Sequence, residues 1–378
     1  MRLTIFGPGN PFRGGIASTT TSLVQALGAG GHQVQFVTPT RQYPQWLYPG
    51  GGDQDPEACP RLEWAEALFS PLEPWTWPRA RRRALEWAGD YWIFPYWTWV
   101  WAPWWMYLLK AKNRPPAIGV VHNPVDHESS SFRRRAAEQV LSRCDGLFTH
   151  AQVLAQELAA SFPDQPIGHH VLPPPVQRGE ACSRKPARER LGVSPDEFLA
   201  LFFGLIRPYK GVDVLLDAMA ELGGQSSWRL IVAGEPWGDL GKDLPAQVQR
   251  LDLGNRVELR LKWISEREVE EFLAAADLVI LPYRSGTQSA VAPLALSRGV
   301  PVLSTRVGGL GEMVEHGVNG LLVGPGSADE LSKGLENLLG EGRLSALASG
   351  ARASMKKWTW DGYAEALGEL IGTTGRIE

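Results

Sequence analysis

The sequence has little cysteine. Its 378 residues include three, Cys59, Cys144 and Cys182, spread far apart. That spacing excludes a CxxC redox or zinc motif, and the odd count suits a reducing compartment. The chain also lacks an excess of charge. Thirty-eight basic against 41 acidic side chains give a formal net charge of -3 and a pI of about 6.2. A general nucleic-acid binder is not expected from that balance. No basic region leads into a long apolar run at the start. "MRLTIFG" reads as a strand, so no signal peptide is expected.

One run lacks charge altogether. Residues 91–109, "YWIFPYWTWVWAPWWMYLL", are as long as a short membrane span. Tryptophan and tyrosine favour the membrane interface over its centre, and Pro95 and Pro103 interrupt any helix. The run therefore reads as a strand, Tyr91 to Phe94, then an aromatic loop and a helix from about Pro103. Its rings are either core or an apolar shelf for an acceptor or a lipid surface. Just before it, Arg79, Arg81, Arg82 and Arg83 cluster in a predicted helix. Such a cluster is a solvated face or, beside those rings, an interfacial one.

What is present in quantity is apolar α/β pattern. Forty-four per cent of the residues are hydrophobic, and the length suffices for two domains of ordinary size. "LTIF", the loop Gly7 to Gly15, a helix to about Ala29 and "GGHQVQFVT" read as β-loop-α-β. The glycines do not fit the dinucleotide spacing GxGxxG. Arg13, Gly14 and Gly15 are placed to meet a phosphate or sugar, or simply to make a tight turn. "PAIGVVHNP" is a strand with His122 at its carboxyl end and His127 five residues on. His122 suits anchoring of a substrate hydroxyl, or is a hydrogen-bonded loop histidine. The two histidines alone specify no metal. The prolines of "HHVLPPPV" and the polar segment Gln177 to Arg190 read as a linker.

The second half repeats the alternation. "FLALFFGLIRPYKGVDVLLDAMAEL" is a strand, a glycine, a basic loop and an amphipathic helix. Arg207 and Lys210 beside the helix start are suited to a diphosphate. The stretch that organises this half is Pro282 to Gly320. Strand "LVIL" precedes it, and a small-residue loop, Ser285 to Ser289, leads into a helix near Ala290 to Leu296. Gly308-Gly309 and Gly311 form a second loop ahead of Glu312. Hydroxyls and N–H groups there make an anion nest at a strand's carboxyl end, or an ordinary βαβ turn.

These stretches carry a resemblance. "GPGNPFRGGIA", "VHNPVDHE", "FGLIRPYKGVDVLLDA", "IVAGEP", "AADLVILPYRSGTQSA" and "RGVPVLSTRVGGLGEMVEHGVNGLLV" follow one another in order across nearly the whole chain. Together they resemble the retaining glycosyltransferases of family 4, which have the GT-B fold. The resemblance implies two Rossmann-like α/β domains facing across a cleft: 1–180 for the acceptor, 181–358 for a nucleotide sugar, and a helix in 359–378 crossing back. It implies transfer of a hexose from a UDP- or GDP-sugar to a hydroxyl of a saccharide or lipid-linked acceptor, with no metal and no cofactor. It places the protein in the cytoplasm or at the inner face of a membrane, with peripheral contact there and no nucleic acid.

Residue by residue, Gly14 and Gly15 match the loop that approaches donor phosphate and sugar. His122 matches the histidine placed by the reacting sugar, and Arg207 and Lys210 resemble the basic pair on the diphosphate. Glu312 matches the acidic residue of the glycine-rich loop. The sequence departs from the family at two places. Leu205 and Ile206 intervene between Gly204 and Arg207, where the arginine usually follows directly. The usual pair of glutamates falls on Gly286 and Leu294, so both carboxylates are missing, and Gln288 or Ser289 is left to supply polar contacts. Three other readings stay open: a catalytically weak carbohydrate- or nucleotide-binding protein, which loss of the pair would explain; a glycogen-phosphorylase-like enzyme, which would need a cofactor lysine in a much longer chain; and a nucleotide-sugar epimerase of the same fold, acting on the donor without an acceptor.

Overall fold

The computed structural model describes residues 1–43, 52–55, 61–124, 131–176, 182–222, 227–340 and 342–374. His127 lies outside them. The chain divides into two compact units, Met1–Pro175 with Trp358–Glu378, and Val176–Lys357.

The first unit holds seven parallel strands in the order β3-β2-β1-β4-β5-β6-β7. They are β1 (Arg2–Phe6), β2 (Gln33–Pro39), β3 (Glu66–Phe69), β4 (Tyr91–Tyr96), β5 (Ala117–Val121), β6 (Gly146–Thr149) and β7 (Ile167–His169). Apolar residues point to both faces, as a sheet covered on both sides requires. One face takes Leu3, Ile5, Ile93, Ile118 and Phe148 against the helix Gly15–Ala29 and against Tyr363, Leu367, Leu370 and Ile371 of the helix Trp360–Thr374. The last helix of the chain thus completes the first unit, and Trp360 Nε1 donates to the Pro174 carbonyl at 2.8 Å.

The other face is the aromatic one. Alternate residues of β4, namely Trp92, Phe94 and Tyr96, meet Trp101, Trp104 and Trp105 from the turn Trp99–Trp101 and the helix Ala102–Leu109. Phe69 stacks on Trp104 at 4.3 Å and Phe94 on Trp105 at 4.5 Å. Trp101, Trp104 and Trp105 have no exposed surface. The charge-free run is therefore core, and the expectation of a shelf or lipid-facing surface made by these rings is overturned. The strand's two-residue period sends every second ring inward, and the following helix returns its own rings to the same face. Among the described residues, no helix is long and apolar enough to cross a membrane.

The second unit holds six parallel strands in the order β10-β9-β8-β11-β12-β13. They are β8 (Phe198–Phe203), β9 (Trp228–Ala233), β10 (Val257–Arg260), β11 (Leu278–Leu281), β12 (Val302–Thr305) and β13 (Gly320–Val323). The polar segment expected to be linker contains a helix, Arg184–Arg190. Tertiary contacts override its polarity. Buried Arg188 donates to the carbonyls of Ala275 and Ser194 and to Asp277, which also pairs with Arg184.

Candidate functional site

In the second unit the chain builds β8, β9 and β10 in one direction, then returns to the middle for β11, β12 and β13. The order reverses between β8 and β11, and a crevice forms at the carboxyl ends of strands at such a point. Two loops meet there. After β8 come Gly204 to Gly211, with a tight turn over Pro208–Lys210, and after β11 comes Pro282 to Ser289. The Arg284 N–H donates to the Tyr209 carbonyl at 2.7 Å. Gly211 must be glycine: its φ is +68°, and a Cβ would lie 2.1 Å from the Pro282 carbonyl oxygen.

The expected basic pair is brought together here. Lys210 reaches back under Gly204, its Nζ 3.3 Å from where a Gly204 Cβ would stand and 5.5 Å from the centre of the Tyr283 ring. Burial, then the nearby Arg207 guanidinium, pushes its pKa down to about 8. Arg207 lies over Trp237 at 4.6 Å. The acidic neighbour, Asp213 in the first turn of the helix Val212–Glu221, is held by both terminal nitrogens of Arg284 at 2.8 and 2.5 Å. Among the described residues, neither Arg207 nor Lys210 has a carboxylate partner. Two cations side by side without a counter-ion disfavour one another, and an entering anion would relieve that cost.

The glycine-rich loop after β12 closes onto the loop after β11. The Gly309 N–H donates to the Thr287 carbonyl at 2.8 Å. At Gly308, φ is +47° and a Cβ would fall 2.0 Å from the Gly286 carbonyl oxygen. Glu312 stands in the short helix Leu310–Met313, half-buried. Ser289 is buried, and its hydroxyl accepts from the Val291 N–H at 3.2 Å and pairs with the Tyr283 hydroxyl at 3.3 Å. Gln288 is half-buried beside it. The expected helix is Val291–Ser297, with Leu294 half-buried on it. At Gly286 an added Cβ meets only Tyr283 Cδ2, at 3.5 Å, so a side chain would fit.

In the first unit, Gly14 and Gly15 open the helix Gly15–Ala29 and are exposed, and a Cβ at Gly14 would meet nothing within 4 Å. His122 follows β5, 3% exposed, its N–H donating to the Tyr96 carbonyl at 2.8 Å. Burial pushes its pKa down to about 3, so the imidazole is neutral at any ordinary pH. The sequence reading missed its companions. His150 follows β6 and His170 follows β7, one level with His122 because Val121, Thr149 and His169 are in register. The signal was available: three successive strands are each followed at once by a histidine.

Among the described residues, no group of three or more His, Cys, Asp or Glu side chains is placed to hold a metal ion. A doubly wound parallel sheet with two cations at its switch point, neither paired with a carboxylate among the described residues, defines a Rossmann-like α/β protein. Comparison with known proteins narrows the class. The sequence profile described as "Glycosyltransferase Family 4" matches residues 13–178, and "Glycosyl transferases group 1" matches 197–341. The chain belongs to glycosyltransferase family 4. It is 31% identical over 269 residues to a D-inositol 3-phosphate glycosyltransferase of Rhodococcus jostii (strain RHA1), covering 69% of this chain and 58% of the relative. A namesake from Xylanimonas cellulosilytica is also 31% identical, over 69% of this chain and 63% of the relative. The chain thus spans less than two thirds of these relatives. Among solved structures, sucrose-phosphate synthase from Thermosynechococcus elongatus superposes with a TM-score of 0.76 at 18% identity, over 100% of both chains. Anabaena Alr3699/HepE, in complex with UDP and glucose, gives 0.77 at 20% identity, over 98% of this chain and 99% of that one. These likenesses show the GT-B fold.

Proposed function

We propose that the protein transfers a hexose from a nucleoside diphosphate sugar to a hydroxyl of a saccharide or lipid-linked acceptor, with retention of configuration. The observation that carries this reading is the pair Arg207 and Lys210 at the switch point, free of carboxylate partners among the described residues. A diphosphate leaving group gains negative charge as its bond to the anomeric carbon breaks. Two fixed cations stabilise that charge without reorganising. The acceptor oxygen forms the new bond on the same face, and its proton passes to the departing diphosphate, so no protein base is needed. In this reading the exposed backbone at Gly14 and Gly15 approaches the donor, and His122 serves the reacting sugar as a neutral hydrogen-bonding group. Gln288 or Ser289 supplies polar contacts to the donor in place of the missing carboxylates, and Glu312 is the acidic residue of the glycine-rich loop at the donor.

The acceptor side favours a lipid-linked saccharide at the inner face of a membrane. Trp75 is 75% exposed and Leu72 is 37% exposed. Trp75, Arg79 and Arg82 follow at helical spacing, and both arginines are exposed and make no ion pair among the described residues. An exposed tryptophan beside unpaired arginines suits the interface of an anionic bilayer.

The test is release of nucleoside diphosphate from UDP-, GDP- and ADP-hexoses, with and without saccharide acceptors, and NMR assignment of the product's anomeric configuration. Acceptor-dependent release with retained configuration is expected. Conversion of the donor sugar without an acceptor would instead establish an epimerase. Nucleotide binding with no turnover would establish a binding protein.

A further inference from the structure

In the second unit, pairing between β8 and β9 does not stop at the strand ends. The two chains come closest at their glycines: a Cβ at Gly234 would fall 2.0 Å from the Gly204 carbonyl oxygen. Beyond them the pairing resumes through an isolated parallel bridge between Ile206 and Pro236. The Ile206 N–H donates to the Glu235 carbonyl at 2.9 Å, and the Trp237 N–H donates to the Ile206 carbonyl at 2.9 Å. Ile206 has no exposed surface. This extra rung uses the residues that separate Gly204 from Arg207, and it delivers residues 207 and 237 side by side. The Arg207 guanidinium carbon lies 4.6 Å from the centre of the Trp237 ring. Trp237 is 37% exposed, so the fold does not use this indole as core. A large ring kept at the surface beside the switch point calls for a reason other than packing.

We infer that Trp237 is a positioning residue for Arg207, its ring a platform that aims the guanidinium at the donor diphosphate. The inference rests on the proposed function for the diphosphate; the contact itself stands on geometry. A long arginine side chain loses rotamer freedom when it grips a phosphate. An aromatic face that holds the chain beforehand reduces that loss. Contact with a ring face also leaves the edge of the planar fork, which carries the N–H donors, for bidentate contact with phosphate oxygens. Arg207 starts two residues beyond the place where the family's arginine follows the glycine, so it approaches the crevice from another direction. The indole, fixed to the same rung by its own N–H, supplies a support at that place. From there the guanidinium stands near enough to Lys210 to add, after burial, to the lowering of the lysine's pKa. The two cations are thereby gathered at one spot. An indole is also a surface on which a nucleobase stacks, and the test separates the two uses.

The test begins with NMR of the protein without ligand. The Arg207 Nε–H proton, assigned by its loss in Arg207→Gln, should resonate upfield of exposed arginines in the wild type, because an indole ring current shields a group above its face. It should move to the exposed position in Trp237→Leu, which keeps apolar bulk without the aromatic face. Binding is then read by calorimetry with UDP, GDP and ADP and with the corresponding nucleosides. For whichever diphosphate binds, Trp237→Leu should weaken affinity about fivefold, the worth of one exposed cation–π contact, and Trp237→Phe should stay within about twofold. Nucleoside affinity should not change. In the Arg207→Gln background, Trp237→Leu should alter diphosphate affinity by less than about twofold, since a residue acting through Arg207 has nothing left to act on. An unshifted Arg207 signal in the wild type overturns the inference, whether or not a variant folds. So does a folded Trp237→Leu with unchanged diphosphate affinity, or with an equal loss in the Arg207→Gln background. An equal loss for the nucleoside also overturns it, and would make the indole a platform for the base. Coupling of Trp237 with Arg207 in a protein that turns over no nucleotide sugar would instead sink the proposed function and leave the positioning role standing. A wild type that binds none of the three diphosphates would end both.

Discussion

Removing the Lys210 ammonium separates a binding role from a structural one. Lys210 lies partly buried under Gly204, beside Arg207 and without a carboxylate partner among the described residues. Its folded-state pKa, about 8, is depressed from the ordinary 10.5. The unfolded chain therefore binds more protons than the folded one between those values. Wild-type stability should rise as pH climbs from about 8 towards 10.5, and Lys210→Ala should lack that rise. At pH 7 the variant should be no less stable than the wild type, because the folded state no longer holds a desolvated cation. Transfer should suffer. Loss of one preorganised charge from a transition state costs about 2 to 4 kcal/mol. At 1.36 kcal/mol per tenfold, that is a rate loss of roughly 30- to 900-fold. The assay is initial-rate nucleotide release at subsaturating donor, alongside thermal unfolding. A second readout is affinity for the nucleoside diphosphate. In the wild type it should weaken above pH 8, as the free Lys210 loses its proton, and binding there should take up a proton measurable by calorimetry in buffers of different ionisation enthalpy. A folded Lys210→Ala with less than threefold change in rate and the same pH profile would refute the reasoning.

Three further outcomes are expected. Leu294→Glu restores an acceptor for ribose hydroxyls. Hydrogen bonds to charged groups are worth about 1.5 to 3 kcal/mol, so UDP or GDP should bind roughly tenfold tighter by calorimetric titration. Unchanged affinity for both in a folded variant would show that Leu294 does not face ribose. Trp75→Ser with Arg82→Ser should abolish sedimentation with anionic liposomes at low salt while leaving the thermal midpoint within about 2 °C, since surface substitutions usually cost under about 0.5 kcal/mol. Equal sedimentation of wild type and variant would remove this surface from consideration. Below pH 6.5 the unfolded chain protonates histidines that the fold keeps neutral, so stability is full above that pH and is lost as it falls. His122 and His150 together should cost up to about 2.7 kcal/mol per pH unit. Denaturant midpoints at pH 7 and pH 5 check this, and equal midpoints would contradict their burial.

The fold was legible because its signals are local. Apolar runs such as "LVIL" and "LTIF", each followed by glycine or a small-residue loop and an amphipathic helix, state strand, turn and helix in sequence order. Lys210 was legible for the same reason: a cation one residue before a glycine that must turn the chain. The polar segment misread as linker shows the limit. Arg184–Arg190 has little apolar pattern, and its helix is held by Ala275, Ala276 and Asp277, about ninety residues away. The aromatic run shows another. Its composition fits core and membrane interface equally, and only the pairing of Phe69 with Trp104 and Phe94 with Trp105 decides for core.

By itself, then, the sequence determined two α/β units, the family and the cations at a strand end, because periodicity, turn residues and ordered motifs are properties of short segments. The tertiary structure alone decided which distant side chains meet. It set His122, His150 and His170 level by strand register, and brought Tyr363 against His150 from a helix more than two hundred residues on. It paired Asp213 with Arg284, and among the described residues Lys210 has no carboxylate partner. Such contacts depend on the order of strands in a sheet, and no local pattern encodes that order.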